Sequence, residues 1–235
     1  MGNIIIDALV GLVHGLVSLI PEPVTDGINS VVDFAYVKFL GLPFVVLGYR
    51  QTGKTTLLEW LRNNLEPEAE FAPEPTAAGG ESVRAFTTQV GREGFRVRPK
   101  RDVGGEYSMW ETDWVDLLRD AKPRGIVFMI DSNNPVAHKD ALNFTLQMID
   151  EEIVAAKNLK VFMLLVNKSD LWINDKSMDD VLEDYRPEMR RLNHQAQKMG
   201  YKVFTFTTSL KTGEGVKEAM DRFFNKIRPS RAKAA

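Results

Sequence analysis

The sequence predicts an α/β fold, a mostly parallel central sheet with one antiparallel hairpin strand and flanking helices, on three observations. Short apolar runs at residues 44–47, 125–130, 161–166 and 201–206, the last interrupted by Lys202 and Thr205, have the length expected of buried parallel strands. Segments of helical length at 110–120, 137–156, 178–199 and 215–227 lie between or after them, a doubly wound βα alternation. Early in the chain two more strands, 82–90 and 95–100, interrupt that alternation around Gly91-Arg92-Glu93-Gly94, a turn suited to a hairpin.

Ahead of the first strand, residues 1–42 form an apolar helical appendage. Residues 1–37 contain no Lys or Arg, and 4–20 are nearly all apolar. Asp7, Gly11, His14 and Ser18 recur at helical spacing and fall on one narrow stripe. Pro21 and Pro23 end that helix, and a second segment, 24–42, carries Asp26, Asn29, Asp33 and Lys38 among apolar and aromatic residues. The pair can pack on the following domain or another chain, or lie shallowly in a membrane. A span or re-entrant hairpin would leave costly charges facing lipid. No positive n-region or cleavage site marks a secretory signal, and Ile6 stands where a myristoylation motif wants Ser or Thr.

The domain proper is expected over 43–228. The first strand runs into Gly48-Tyr49-Arg50-Gln51-Thr52-Gly53-Lys54-Thr55, followed by Thr56, which matches the phosphate-binding loop pattern in its required strand-to-helix context. Backbone N–H groups of such a turn and the helix N-terminus cradle phosphate oxygens. Lys54 should reach the β and γ phosphates and the Thr55 hydroxyl should ligate Mg²⁺. The fold class is therefore that of a P-loop NTPase, narrowed to a G domain by the segments that follow.

After the first helix, residues 63–80 read as a loop that contains Thr76 and the Gly79-Gly80 pair. The hairpin leads to Asp102-Val103-Gly104-Gly105, where a strand-end Asp can hold Mg²⁺ through water and the Gly105 N–H can meet a γ phosphate. The strand ending at Val166 leads into Asn167-Lys168-Ser169-Asp170. The Asp170 carboxylate can accept from the N1–H and exocyclic amine of guanine, a combination adenine does not present. Asn167 can tie this segment to the phosphate loop, and Lys168 can lay its stem over the base. Thr208-Ser209-Leu210-Lys211 follows the next strand, where backbone N–H groups can contact the guanine oxygen, Ser209 can shape the turn and Lys211 can pack near the base.

On these motifs the chain resembles a Ras-superfamily small GTPase, most closely the ADP-ribosylation-factor branch, over about 185 residues between 43 and 227. Branch-level marks are Pro75-Thr76, the doubled glycine of Gly104-Gly105, and Asp131-Ser132-Asn133. The resemblance implies a GTP/GDP-binding regulatory switch with Mg²⁺-dependent GTP hydrolysis. Thr76 would close on Mg²⁺ and the γ phosphate only with GTP bound, with Thr87 and Thr88 as rivals for that role. Lys54, Thr76, Gly105 and Glu106 would be catalytic, and Thr55, Thr76 and Asp102 would hold the metal. Residues 105–114 would form a second switch whose Tyr107, Trp110 and Trp114 either meet an effector protein or pack internally.

Two positions depart from the family pattern. Glu106 follows Gly105, where the family usually has a catalytic Gln; a carboxylate only accepts hydrogen bonds and adds repulsion beside a triphosphate, so slow intrinsic hydrolysis is expected. Arg50 stands at the third loop position, where the branch commonly has Asp, and can point outward, meet a partner or approach phosphate. The alternative function is a GTP-binding assembly or membrane-scaffold subunit with little or no turnover.

Composition bounds the rest. Thirty basic against 32 acidic residues, a formal charge of -2, give no reason to expect nucleic acid as a partner. The absence of cysteine excludes disulfides, thiolate metal sites and thiol catalysis, and His14, His138 and His194 are too dispersed to suggest a metal cluster. A cytoplasmic protein is expected, peripheral on the cytoplasmic face of a membrane if residues 1–42 bind lipid. Homo-oligomerisation stays open. Residues 229–235 are a flexible basic tail that is either solvated or meets acidic lipid or protein.

Overall fold

The computed structural model describes residues 41–65, 76, 77, 79–90, 93–151 and 158–229. The predicted helices before residue 41, the loop with Pro67, Pro73 and Pro75, the hairpin tip Gly91-Arg92, residues 152–156 and the tail from 230 lie outside these residues.

Strands β1 (Leu42–Gly48), β6 (Gly125–Ile130) and β7 (Val161–Val166) contain no exposed residue. That is what parallel strands covered on both faces require. β1 pairs in parallel with β6, β6 with β7, and β7 with the edge strand β8 (Lys202–Thr207). On the other side of β1 comes β4 (Glu93–Arg98), parallel to it, and then β3 (Phe86–Val90), antiparallel to β4. The six-stranded order is β3-β4-β1-β6-β7-β8.

The hairpin departs in detail from the two strands expected. Its distal half is a separate antiparallel pair, β2 (Glu81–Val83) with β5 (Lys100–Asp102). Pro99, which has no N–H to give a ladder, and Lys100 at φ 73 break the second strand between β4 and β5. At the tip Val90 already pairs with Glu93, so the turn is shorter than the four residues expected.

Helices α1 (Lys54–Arg62) and α6 (Val216–Ile227) cover one sheet face, burying Leu57, Leu61, Phe223 and Phe224 against Phe44, Val46, Met129 and Met163. The other face carries Val45, Phe128, Phe162 and Leu164, beneath α2 (Val115–Ala121), α3 (Pro135–Asp150) and α5 (Arg186–Met199). Alternate residues of each central strand thus feed two cores.

Three helices differ from expectation. α3 starts at Pro135 because Asn134 accepts from the Ala137 N–H and Pro is suited to a first turn. The stretch 178–199 is two helices, α4 (Met178–Glu183) and α5. Ser177 and Asp180 close a capping box on α4, while Pro187 can sit only in the first turn of a new helix. The segment 110–120 begins as a wide π turn, Trp110–Trp114, before α2. No helix among the described residues is long and apolar enough to cross a membrane.

From β1 the chain passes to the hairpin on one side and then to β6 on the other, so the crevice at the C-terminal end of β1 is the sheet's topological switch point. Ligands of open α/β sheets bind there. The carboxyl ends of β1, β6, β7 and β8 deliver Gly48, Asp131, Asn167 and Thr208 to this edge.

Candidate functional site

The turn after β1 is held by its own side chains. Thr52 Oγ1 donates to the Tyr49 carbonyl at 2.9 Å, and Lys54 Nζ donates to the same oxygen at 3.0 Å. Gln51 takes a left-handed φ of 60°, and Gly53, at φ +100°, caps α1. A side chain on Gly53 would meet Asn167 Nδ2 and Leu210 Cδ1 at 2.8 Å, so the loop needs glycine both for its backbone and for its neighbours. Lys54 is 6 % exposed. Burial pulls its ammonium down to about 8, and the charge of Asp102 pushes it part of the way back. A buried cation with so little compensation suits an anionic ligand.

Three oxygen donors meet beside it. Thr55 Oγ1 donates to Asp102 Oδ2 at 2.6 Å, and Thr76 Oγ1 lies 3.3 Å from each of those atoms. Thr87 and Thr88, the rivals for Thr76, pair across the hairpin with Arg96 and Phe95 instead. Asp102 Oδ1 is buried without a hydrogen-bond partner among the described residues. Two hydroxyls and a carboxylate with a free buried oxygen fit a hard divalent cation such as Mg²⁺.

Gly105 backs onto the loop: a Cβ there would lie 2.4–2.5 Å from backbone atoms of Gly48, Tyr49 and Arg50. Two indoles fix this segment from behind, Trp114 Nε1 donating to the Gly104 carbonyl at 2.8 Å and Trp110 Nε1 to that of Gly105 at 3.2 Å. Trp110 and Trp114 are buried, which decides the choice left open for them in favour of packing, whereas Tyr107 is 70 % exposed. Asp113, also buried, accepts from the Gly79 N–H at 2.8 Å and links the two segments expected to switch. Arg50 and Glu106 face each other across the cavity mouth at 3.8 Å, both more than half exposed.

The resulting cavity, about 480 Å³, is lined by Arg50, Gln51 and Gly53–Thr56 on one wall and by Thr76 and Gly104–Glu106 on the other. Asn167 joins it to the base-side segments. Its Nδ2 donates to the Thr52 carbonyl at 2.8 Å, while its Oδ1 accepts from the Leu210 N–H at 3.1 Å and Thr208 Oγ1 at 3.3 Å. Ser209 Oγ donates to Asp170 Oδ1 at 2.6 Å. Lys211 is 79 % exposed and 4.0 Å from Asp170. Lys168, at a left-handed φ of 59°, turns its ammonium to Asp131 Oδ2 at 2.6 Å.

The sequence alone gives no role to Asp131, His138 or Asp113, and for the two indoles it leaves effector contact and packing open. Asp131 was visible only as part of a branch-level mark, and nothing in the spacing shows an indole reaching a carbonyl.

The sequence profile of the ADP-ribosylation factor family matches residues 34–227, most of the chain. The chain belongs to that family. It is thus an Arf-like small GTPase of the Ras superfamily, and with membership comes the family's general function, a GTP-binding and GTP-hydrolysing switch. Its structure is similar to that of the Arl6 BBS3 small GTPase from Trypanosoma brucei, solved with the bound nucleotide analogue GppNp. The TM-score is 0.56 at 18% identity over 80% of this chain and 99% of that one, a likeness of fold. Comparison with curated protein sequences gives no match.

Proposed function

We propose that this chain is a GTP/GDP-binding regulatory switch in which the cavity above β1 holds the nucleotide phosphates with Mg²⁺ and Asp170 reads the guanine. The observation that carries the reading is Asn167, whose one side chain binds the Thr52 carbonyl of the phosphate loop and the Leu210 N–H of the base loop. In this reading Gly48–Thr56 wrap the phosphates, with Lys54 on the β and γ groups. Thr55, Thr76 and Asp102 hold Mg²⁺, which when bound screens the phosphate charge. The Gly105 N–H stabilises charge on the γ phosphoryl as water attacks. Asp170, oriented by Ser209, accepts from guanine; Lys168 covers the base, and the backbone of 209–211 meets its oxygen. Lys211, well exposed, contributes least. The exposed Tyr107 offers an effector contact.

Glu106 sets the pace of turnover in this account. It can only accept a hydrogen bond where Gln would both accept and donate, and Arg50, at 3.8 Å across solvent, offsets its charge weakly. Single-turnover hydrolysis should therefore speed up in Glu106→Gln by about tenfold, some 1.4 kcal/mol in the barrier. An equal or slower rate in that variant rejects Glu106 as the brake. A natural chain with no measurable turnover, in which Glu106→Gln restores none, favours the scaffold reading instead.

In this proposal the residues ahead of β1, expected as an appendage over 1–42 to a domain over 43–228, serve a membrane or a partner protein; if they bind lipid, the protein is peripheral on the cytoplasmic face of a membrane. Full-length protein should sediment with liposomes, and protein lacking residues 1–40 should stay in the supernatant. Equal sedimentation of the two would remove the lipid role from this segment.

A further inference from the structure

Asp131 and His138 form a buried polar pair at the carboxyl end of β6 and the first turn of α3, 3 % and 2 % exposed. Asp131 Oδ1 takes the Asn133 N–H at 2.8 Å and lies 3.1 Å from His138 Nε2, while Oδ2 lies 2.6 Å from Lys168 Nζ. A carboxylate can only accept, so His138 donates from Nε2. That leaves Nδ1 buried and without a hydrogen-bond partner among the described residues. The His138 ring also packs edge-on against Tyr49 of the phosphate loop, with centroids 5.8 Å apart. One side chain on α3 therefore touches the phosphate loop directly and the base-side lysine through one carboxylate.

We propose that Asp131 and His138 are positioning residues for nucleotide binding: His138 orients the Asp131 carboxylate, and Asp131 anchors the Lys168 ammonium so that its methylene stem is already laid where the base will sit. The inference rests on the nucleotide reading above. A free lysine side chain is among the most mobile, and ordering it on binding weakens affinity. Pinned at its tip by a buried carboxylate and at its root by a left-handed backbone, Lys168 meets that cost on folding instead. A stem lying over the base touches no reacting atom, so it acts equally on the bound substrate and the transition state.

The test is a mutant cycle on the full-length protein, reading GDP dissociation, GDP and GTP affinity, and single-turnover hydrolysis at saturating GTP with Mg²⁺. Asp131→Asn, nearly isosteric, should weaken GDP and GTP by the same factor, about tenfold, through faster dissociation, within the range of couplings between contacting residues. The saturated hydrolysis rate should stay unchanged, as for an interaction that binds ground and transition states alike. Lys168→Met should lose about as much affinity, and adding Asp131→Asn to it should cost no more than about twofold further. His138→Gln, which keeps a donor near the Nε2 position, should lose less than His138→Leu. Where Asp131→Asn does not fold, the His138→Leu loss, present with Lys168 and absent in a Lys168→Met background, reads the same relay.

Additive losses in the Asp131→Asn, Lys168→Met pair overturn the positioning role while leaving nucleotide binding standing. So does a fall in saturated hydrolysis without a change in affinity. A natural protein that binds neither GDP nor GTP overturns the nucleotide reading itself and this proposal with it.

Discussion

Asp170→Ala is expected to lower GDP affinity by roughly 10²–10³-fold while leaving ADP affinity where it was, so that selectivity for guanine collapses. The carboxylate is fixed by Ser209 Oγ at 2.6 Å, and its segment is tied to the phosphate loop through Asn167. It thus presents two acceptors in a fixed place to the two donors of guanine. Hydrogen bonds to a charged group contribute about 1.5–3 kcal/mol each, so losing both removes about 3–6 kcal/mol, and the expected loss in affinity takes the lower part of that range. Truncation also strips Ser209, which is fully buried, of its acceptor, and a fall in thermal stability could imitate a binding defect. Asp170→Asn separates the two effects: it keeps an oxygen for Ser209 but replaces an acceptor with a donor. It should lose guanine preference with little change in melting temperature. Isothermal titration with GDP and ADP checks both variants, and an Asp170→Ala protein that still prefers GDP places guanine recognition elsewhere.

Gly105→Ala is expected to be the next most damaging substitution, and selectively so. Its methyl would lie 2.4–2.5 Å from Tyr49 C, Arg50 N and Gly48 O, all backbone, so no rotamer change can relieve the contact. Either the loop or the second segment must move, and the indole bonds from Trp110 and Trp114 hold the carbonyls of Gly104 and Gly105 in place. Overpacking of this kind costs about 1–3 kcal/mol. Because the displaced N–H is the one assigned to the γ phosphate, a non-hydrolysable GTP analogue should bind about 10- to 100-fold more weakly, with GDP affinity changed by less than about threefold. Equal losses for the two nucleotides would mean that Gly105 does not sense the γ phosphate.

The strands were legible because a buried parallel strand must be apolar on both faces, and such runs as Phe162-Met163-Leu164-Leu165 have few other uses. The phosphate loop and the residues after β7 were legible because their spacing is dictated by ligand chemistry rather than by packing. Helix limits were less so: the break before α5 depends on Pro187 lying in a first turn, and periodicity continues across it. That Thr76, rather than Thr87 or Thr88, lies beside Asp102 is a matter of tertiary structure, which no local pattern encodes. Trp110 and Trp114 looked alike as surface or core until the π turn carried both rings inward, their centroids 5.4 Å apart. His138 and Asp131, seven residues apart, meet only because the chain passes from β6 through Asn134 into the first turn of α3.

Every role proposed above depends on a guanine nucleotide held with magnesium at the carboxyl end of β1. Equilibrium titration of the full-length protein with GDP, GTP and ATP, with and without Mg²⁺, measures it most directly. GDP and GTP should bind at least ~100-fold more tightly than ATP, as expected of a site built to hydrogen-bond one base, and removing Mg²⁺ should weaken GTP most. Folded protein that binds all three alike, or that ignores magnesium, would contradict this.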